Sequence, residues 1–184
     1  MKHLLSAFSI AIAATTVFAQ PVERLAFKDI YIGQNVNELR EIKRLRCSEM
    51  PGRIALDEVC QLGIGVKETI AGVPATSVQA HVIDKQVHTI LVYFSSADFT
   101  VVADALVERY GQPTKVEKSI VTTRAGVKYE NETRDWRNLA SGTLYIEKFG
   151  SRVDTSIVLF SSHDGDKIME KRKKATSKSG SKDL

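Results

Sequence analysis

Residues 76–113, TSVQAHVIDKQVHTILVYFSSADFTVVADALVERYGQP, contain two apolar patterns with different periods. Up to Ser95 the apolar and polar residues alternate, and Val, Ile and Thr are frequent, which predicts strands at 76–83 and 87–95. From Phe99 the apolar residues recur at helical spacing, and Gly111 with Pro113 ends the helix. The stretch therefore predicts a β-hairpin and a helix that packs on it, with Phe99, Val102 and Leu106 facing Ile90, Val92 and Phe94.

Two histidines in this hairpin depend on its register. A two-residue loop at 84–85 would place His81 opposite His88 and create a two-histidine metal site. A three-residue loop instead pairs Val78 with Val92 and Ala80 with Ile90, which collects the apolar side chains on one face. Because a slip of one residue moves every side chain to the other face, burial favours the second register. We predict no metal site here, and no cofactor for the protein.

Helical spacing also appears before the hairpin. Asn35 with Glu38 resembles a capping box, and the helix that follows is predicted to end near Cys47, before Pro51-Gly52. For the later helix, Ser96 or Asp98 is the expected cap. The apolar residues of the first helix are Val36, Leu39, Ile42 and Leu45.

The remaining strands are predicted at 66–71, 115–124, 127–137, 142–149 and 154–162. Since strands follow strands along the chain, the sheet is expected to be antiparallel rather than built from βαβ units. The predicted fold is α+β, with an antiparallel sheet of about six or seven strands and two packed helices. It forms a single domain over 20–165, with 25–95 and 96–162 as the halves of a degenerate α-βββ duplication.

The N-terminus has the three parts of a secretory signal peptide. Lys2 supplies a positive charge, an apolar run starts at Leu4, and Val17-Phe18-Ala19 offers small residues for cleavage near Ala19–Gln20. The apolar run includes Ser and Thr residues and is shorter than the roughly 20 residues of a membrane span. We predict that 1–19 are removed from an exported, periplasmic protein, which is not lipidated because no cysteine lies at the cleavage point.

Cys47 and Cys60 are the only cysteines in the chain. Exported proteins meet oxidising conditions, in which two cysteines usually pair. Zinc sites commonly need four ligands at short spacing, and a redox pair more often has the C-x-x-C pattern. We therefore predict a structural disulfide between Cys47 and Cys60.

The net charge of +4 is concentrated at the C-terminus. Residues 20–165 carry 18 Lys and Arg against 19 Asp and Glu, whereas 166–184 carry 7 basic and 3 acidic residues. The near-neutral body gives no reason to expect a nucleic acid partner. The tail is predicted to be disordered, with a first part that extends a final helix by a turn or two. Its candidates for contact with an anionic envelope surface are Lys171, Arg172, Lys173 and Lys174.

No catalytic constellation stands out in the sequence. A Ser/His/Asp triad that uses His163 lacks a nucleophile-elbow motif, so we predict that the protein is not an enzyme. The segment YENETRDWRN, 129–138, carries residue types that anchor protein interfaces. Its candidates for a partner-binding site are Tyr129, Arg134, Trp136 and Arg137. For Trp136 the alternative, packing against the sheet as ordinary core, is favoured over a role in binding.

Residues 27–42, FKDIYIGQNVNELREI, resemble the opening of small exported bacterial envelope domains of the SmpA/OmlA and β-lactamase-inhibitor-protein-like group. In those domains a strand enters a helix through a glycine, here Gly33, and antiparallel strands follow. The YGQP segment at 110–113 is similar to the helix stop of such domains. Membership would imply a protein-binding rather than a catalytic role.

The function expected from these observations is that of a soluble, non-catalytic protein-binding module of the bacterial envelope, of the inhibitor, immunity or assembly-factor type. One alternative is an envelope-associated protein whose basic tail binds anionic lipid, lipopolysaccharide or cell-wall polymer. A second is an enzyme with dispersed catalytic residues.

Overall fold

The computed structural model describes residues 24–50 and 56–174, except 166, 169 and 173. Within these ranges the chain forms eleven strands, two α-helices and a 3₁₀ turn, and residues 165–174 are helical where they are described. The elements are β1 (Ala26–Phe27), β2 (Ile30–Tyr31), α1 (Val36–Glu41), β3 (Leu45–Glu49), β4 (Glu58–Leu62), β5 (Glu68–Ile70), β6 (Val73–Ile83), β7 (Gln86–Ser95), the 3₁₀ turn Ser96–Asp98, α2 (Phe99–Tyr110), β8 (Lys115–Thr122), β9 (Lys128–Leu139), β10 (Gly142–Arg152) and β11 (Thr155–Ser161).

Nine strands form one antiparallel sheet, so the α+β class is confirmed and the predicted strand number is too low. The order is β3-β4-β6-β7-β11-β10-β9-β8, and β5 pairs with β6 beside β4. β1 and β2 form a separate small hairpin. The strands after each helix run from an edge of the sheet to its middle, where β7 pairs with β11.

The β6–β7 hairpin has the predicted register with a different loop. Val78 lies opposite Val92 and Ala80 opposite Ile90, as expected. The loop has two residues, Asp84 and Lys85, both with positive φ (50° and 64°), as a type I′ turn requires. A two-residue loop alone would set His81 opposite His88. A register shift between His81 and Val82 changes this pairing, so that His81 lies opposite Thr89 and the apolar residues stay on one face.

The core lies on one side of the sheet, which we call the helix face. Buried side chains from the four central strands contact those of both helices in one cluster. All six residues predicted at the contact between α2 and the hairpin belong to it. Gly111, with φ 78°, ends α2 as predicted.

The first helix is shorter than predicted. Asn35 caps α1 by accepting a hydrogen bond from the Asn37 backbone N–H (2.9 Å), but the helix ends at Glu41. Leu45 and Cys47 then lie in β3, where they are paired with Leu62 and Cys60. The helical spacing of Leu45 was coincidental, because the same side chain also suits the inward position of a strand.

Two predicted capping contacts also differ. The Glu38 carboxylate accepts a hydrogen bond from the Tyr31 hydroxyl (2.8 Å) instead of turning back to Asn35. Before α2, the Ser95 hydroxyl caps the 3₁₀ turn by accepting from the Ala97 N–H, while the Asp98 side chain makes no capping bond. Asp98, one of the two candidates, occupies the N-cap position of α2 but does not cap it through its side chain.

Candidate functional site

The side of the sheet opposite the helices, which we call the open face, is the candidate site. Its centre consists of large apolar and aromatic side chains from β7, β10 and β11. They are partly buried, and none of them belongs to the core cluster. Across the strands, Tyr93 lies opposite Ile157, and Leu159 lies between Leu91 and Tyr145. The helices α1 and α2 pack on the other side of the sheet. The helical segment 165–174 lies by the β6–β7 turn, where Gly165 is next to His88 and Arg172 pairs with Asp57 and Asp84.

Polar side chains border this apolar strip at the β8–β10 end of the open face. They surround a cavity of about 340 Å³. Ion pairs join Lys115 to Glu117 (2.7 Å) and Arg137 to Asp135 (2.6 Å). The open face therefore combines an apolar centre with a charged border, an arrangement seen in protein interfaces.

Asn131 lines this cavity and joins β9 to β10 through its side chain. It is buried, and its side-chain oxygen accepts from the Phe149 backbone N–H (3.0 Å) while its amide donates to Glu147 (3.0 Å). The other oxygen of Glu147 accepts from the Tyr145 hydroxyl (3.1 Å). Burial, together with the nearby charge of Glu147, raises the pKa of Tyr145 to about 12. Tyr145 is therefore a neutral hydrogen-bonding group at physiological pH.

The four partner-binding candidates lie on different sides of the sheet. Trp136 is only 2% exposed, and its indole N–H donates to the Gly111 carbonyl (2.8 Å). The alternative interpretation, Trp136 as core, is what the structure shows. Arg134 lies on the helix face, where it pairs with Glu132 (2.7 Å) and Asp104 (3.3 Å). Tyr129 and Arg137 have the strand parity of the open face and are exposed.

Cys47 and Cys60 form the predicted disulfide. They are directly opposite each other on β3 and β4, with Cys60 fully buried. The bond holds the edge of the sheet at the loop 50–57, of which 51–55 lie outside the described residues.

Of the tail candidates, Arg172 contacts the body of the protein. Its guanidinium pairs with Asp57 (2.6 Å) and with Asp84, and it holds the pKa of Asp57 below its ordinary value. Lys171 and Lys174 are exposed, and Lys174 pairs with Glu170 (2.7 Å). Lys173, the remaining tail from 175 and the predicted signal peptide lie outside the described residues.

The three histidines in the described residues, His81, His88 and His163, lie apart in different environments. Burial lowers the pKa of His81 and of His88. His88 Nδ1 lies 2.8 Å from Ser162 Oγ, and His163 Nε2 lies 3.0 Å from the Leu139 carbonyl oxygen. Among the described residues no carboxylate hydrogen-bonds to His88, so the Ser–His contact lacks the orienting group of a triad.

A second cavity, of about 230 Å³, lies between α2, the β1–β2 hairpin and β5. Its walls include Phe27, Ile70 and Leu106, with Lys28 and Arg109 also contributing. Lys28 is paired with Glu68. Over the described ranges, no group of three or more His, Cys, Asp or Glu residues is placed to hold a metal ion, and neither helix is long and apolar enough to cross a membrane.

Sequence reasoning missed the open face, although a signal was present. A strand with one solvated face should alternate apolar with polar residues. In β7 and β11 the outward positions are instead Leu91, Tyr93, Ile157 and Leu159. Apolar residues at both parities of two strands indicate that the second face has an apolar surface of its own.

Comparison of the chain with protein-family models, with curated proteins and with solved structures gives no match. The resemblance of residues 27–42 to envelope domains therefore remains a prediction.

Proposed function

We propose that this protein is an exported, non-catalytic binding module of the bacterial envelope that holds a partner protein on the open face. The observation that carries the proposal is the apolar strip formed by Leu91, Tyr93, Tyr145, Ile157 and Leu159. Contiguous apolar surface bordered by polar residues is characteristic of protein interaction sites.

The border of the open face supports a protein partner rather than a lipid. Both charge signs alternate there, as Lys115, Glu117, Asp135 and Arg137 show. A surface of mixed sign suits the mixed charges of a protein, whereas an anionic membrane attracts clustered basic residues. Tyr93 and Tyr145 add the aromatic type that is enriched at interface centres.

Export is part of the proposal and is supported by two observations. The sequence has the pattern of a signal peptide, and the disulfide is compatible with an oxidising compartment. The enzyme alternative has no observation in its favour in the described residues, because the one Ser–His contact lacks an orienting carboxylate.

The test is site-specific photo-crosslinking in cells of the source organism. A photoreactive phenylalanine analogue replaces Leu91 or Leu159 on the open face, or Val101, which is 54% exposed on α2, as the matched control. We expect the same protein adduct from positions 91 and 159 and none of it from 101. An Ile157→Glu change, placed in the middle of the strip, should abolish the adduct while the melting temperature stays near that of the wild type.

Absence of an adduct from both open-face positions would contradict the proposal. So would the same adduct from position 101, because the capture would then not depend on the open face. Fractionation of the same cells checks export, since the mature chain should begin near Gln20 and lie outside the cytoplasm.

A further inference from the structure

The strand β8 is an edge of the nine-stranded sheet and pairs only with β9. Seven of its eight residues are exposed, and Val121 is partly buried. The opposite edge is different, because β3 has five residues, contacts α1 and is joined to β4 by the disulfide. Exposed edge strands have unpaired backbone groups that can accept another strand, and most proteins protect them. β8 contains no proline and no bulge.

The loop between β8 and β9 shows which backbone groups of β8 point outward. The Thr123 N–H donates to the Val127 carbonyl (2.9 Å). The register continues from that pair without a shift through Val121–Tyr129, Ser119–Asn131 and Glu117–Thr133. Since hydrogen-bonded and non-hydrogen-bonded pairs alternate in an antiparallel ladder, the odd-numbered residues of β8 bond to β9. The even-numbered residues therefore direct their N–H and C=O groups away from the sheet.

The side chains of these even-numbered residues form a simple pattern. Val116 is 49% and Ile120 58% exposed, and Lys118 lies between them. All three project on the helix face, because they share the parity of Arg134 across the pairing with β9. Among the described residues Lys118 makes no ion pair, since its neighbour Glu132 is paired with Arg134.

We propose that β8 binds an extended segment of a partner protein by strand addition, and that this segment carries an acidic residue between two apolar ones, in the pattern apolar-x-acidic-x-apolar. The backbone would pair with Val116, Lys118 and Ile120. Apolar residues of the partner would cover Val116 and Ile120, and the acidic residue would lie opposite Lys118. Main-chain hydrogen bonds supply affinity in this mode of recognition, and alternate side chains supply specificity.

Charge argues against a second copy of the chain as the occupant. Two β8 strands related by a two-fold axis through the sheet would pair residues of the same face. The register that sets Val116 opposite Ile120 of the second copy also sets Lys118 opposite its own counterpart. Like charges directly opposite each other are destabilising, whereas an acidic residue at that point is favourable.

The proposal is tested with the peptide Thr-Val-Thr-Glu-Thr-Val-Thr, blocked at both ends, which reads the same in either strand direction. Backbone amide exchange is followed by NMR. In the free protein the amides of Ser119 and Val121 should be protected, and those of Lys118 and Ile120 should exchange rapidly. The peptide should protect Lys118 and Ile120, and the matched peptide with Lys at its centre should bind about five-fold more weakly.

Reversing the charge at residue 118 distinguishes specific recognition of the peptide from nonspecific binding. With Lys118→Glu, the preference should reverse, so that the Lys-centred peptide binds better than the Glu-centred one. The proposal is overturned if neither peptide protects the even-numbered amides up to its solubility limit, or if Lys118→Glu leaves the preference unchanged. It is also overturned if these amides become protected without peptide as the protein concentration rises, because a second copy would then be the occupant. None of these outcomes depends on crosslinking at the open face.

Discussion

At the scale of single residues, Tyr145 and Trp136 show how neighbours decide what an aromatic side chain does. The sequence places Trp136 between charged residues, in RDWRN, and Tyr145 between Leu144 and Ile146. Trp136 falls on the helix face, where the end of α2 offers the Gly111 carbonyl to its N–H. Tyr145 falls on the open face, where its hydroxyl donates a hydrogen bond to Glu147. The two side chains point to opposite faces of the sheet, because Trp136 is opposite Leu144 and Tyr145 is the next residue in β10. The face of each residue follows only from the register of β9 and β10.

The titration of Tyr145 is the first prediction. Its pKa is raised from 10.0 to about 12, chiefly by burial, so its phenolate should appear only as the pH approaches 12. Tyr145→Phe should remove that late step from the phenolate absorbance. Glu147→Gln should move it to lower pH without restoring the ordinary value, because burial remains.

The same shift fixes a trend in stability. Between pH 10 and about 12 the unfolded chain loses the Tyr145 proton and the folded protein retains it. The free energy of unfolding should therefore fall as pH rises through this window, and less steeply in Tyr145→Phe. Tyr129→Phe, at an exposed site, is the control. Simultaneous ionisation of all tyrosines near the ordinary pKa would contradict the prediction.

At the scale of elements, alternation and helical spacing predicted the strands and helices whose position depends on burying an apolar side. The strands β6 to β11 and the helix α2 were predicted close to their observed bounds. In β6, β7, β10, β11 and α2 this agreement follows from an apolar side that faces the core, whereas β8 and β9 are largely polar. β3 and β4 were missed, since Leu45 was assigned to the spacing of the first helix and Glu49 and Glu58 interrupt the inward apolar positions. Cys47 and Cys60 are paired across the two strands.

The stripe of α2 gives the second prediction. Leu106 is buried in the core, so Leu106→Ala should lower the free energy of unfolding by about 2–5 kcal/mol. Val101 lies on the exposed side of the same helix, and Val101→Ala should change it little. Denaturant unfolding of the two variants measures the difference. Equal effects would mean that the stripe does not face the sheet.

The disulfide gives the third prediction. Replacing both Cys47 and Cys60 with alanine should lower the free energy of unfolding by about 3 kcal/mol, because the unfolded chain regains the freedom of a short loop. Wild-type protein treated with a reducing agent is the control and should move toward the double variant. Peptide mass spectrometry without reduction should find the two cysteines joined in protein isolated from cells, and free thiols there would contradict the prediction.

At the scale of the whole molecule, the sheet order could not be read from the sequence. The pairing of β7 with β11 joins residues that are far apart in the chain, and no local pattern specifies it. The duplication of 25–95 and 96–162 remains a prediction. The structure adds one observation to it. In each half a helix precedes the strands of the nine-stranded sheet, and the last strand of one half pairs with the last strand of the other.

The tail gives the fourth prediction, and it concerns the envelope-binding alternative. The ion pairs of Arg172 with Asp57 and Asp84 are partly exposed, and such pairs are worth about 0–1 kcal/mol. A chain ending at Gly165 should therefore melt within about 4 °C of the full-length protein. If the tail captures anionic surfaces, only the full-length protein should be retained on vesicles containing phosphatidylglycerol, and salt should weaken the retention. Equal retention of both chains at low salt would contradict that role.

The meeting of β7 and β11 also bears on the order in which the protein acquires its shape during synthesis. The chain emerges N-terminus first, so Ile90, Leu91 and Val92 are present long before their partners in 155–161. Until then β7 is an unpaired edge with several apolar residues, and surfaces of this kind promote misfolding and aggregation. The N-terminal half alone is thus expected to be an aggregation-prone intermediate. The sheet is completed only when β11, the last strand to be synthesised, pairs with β7 in its middle.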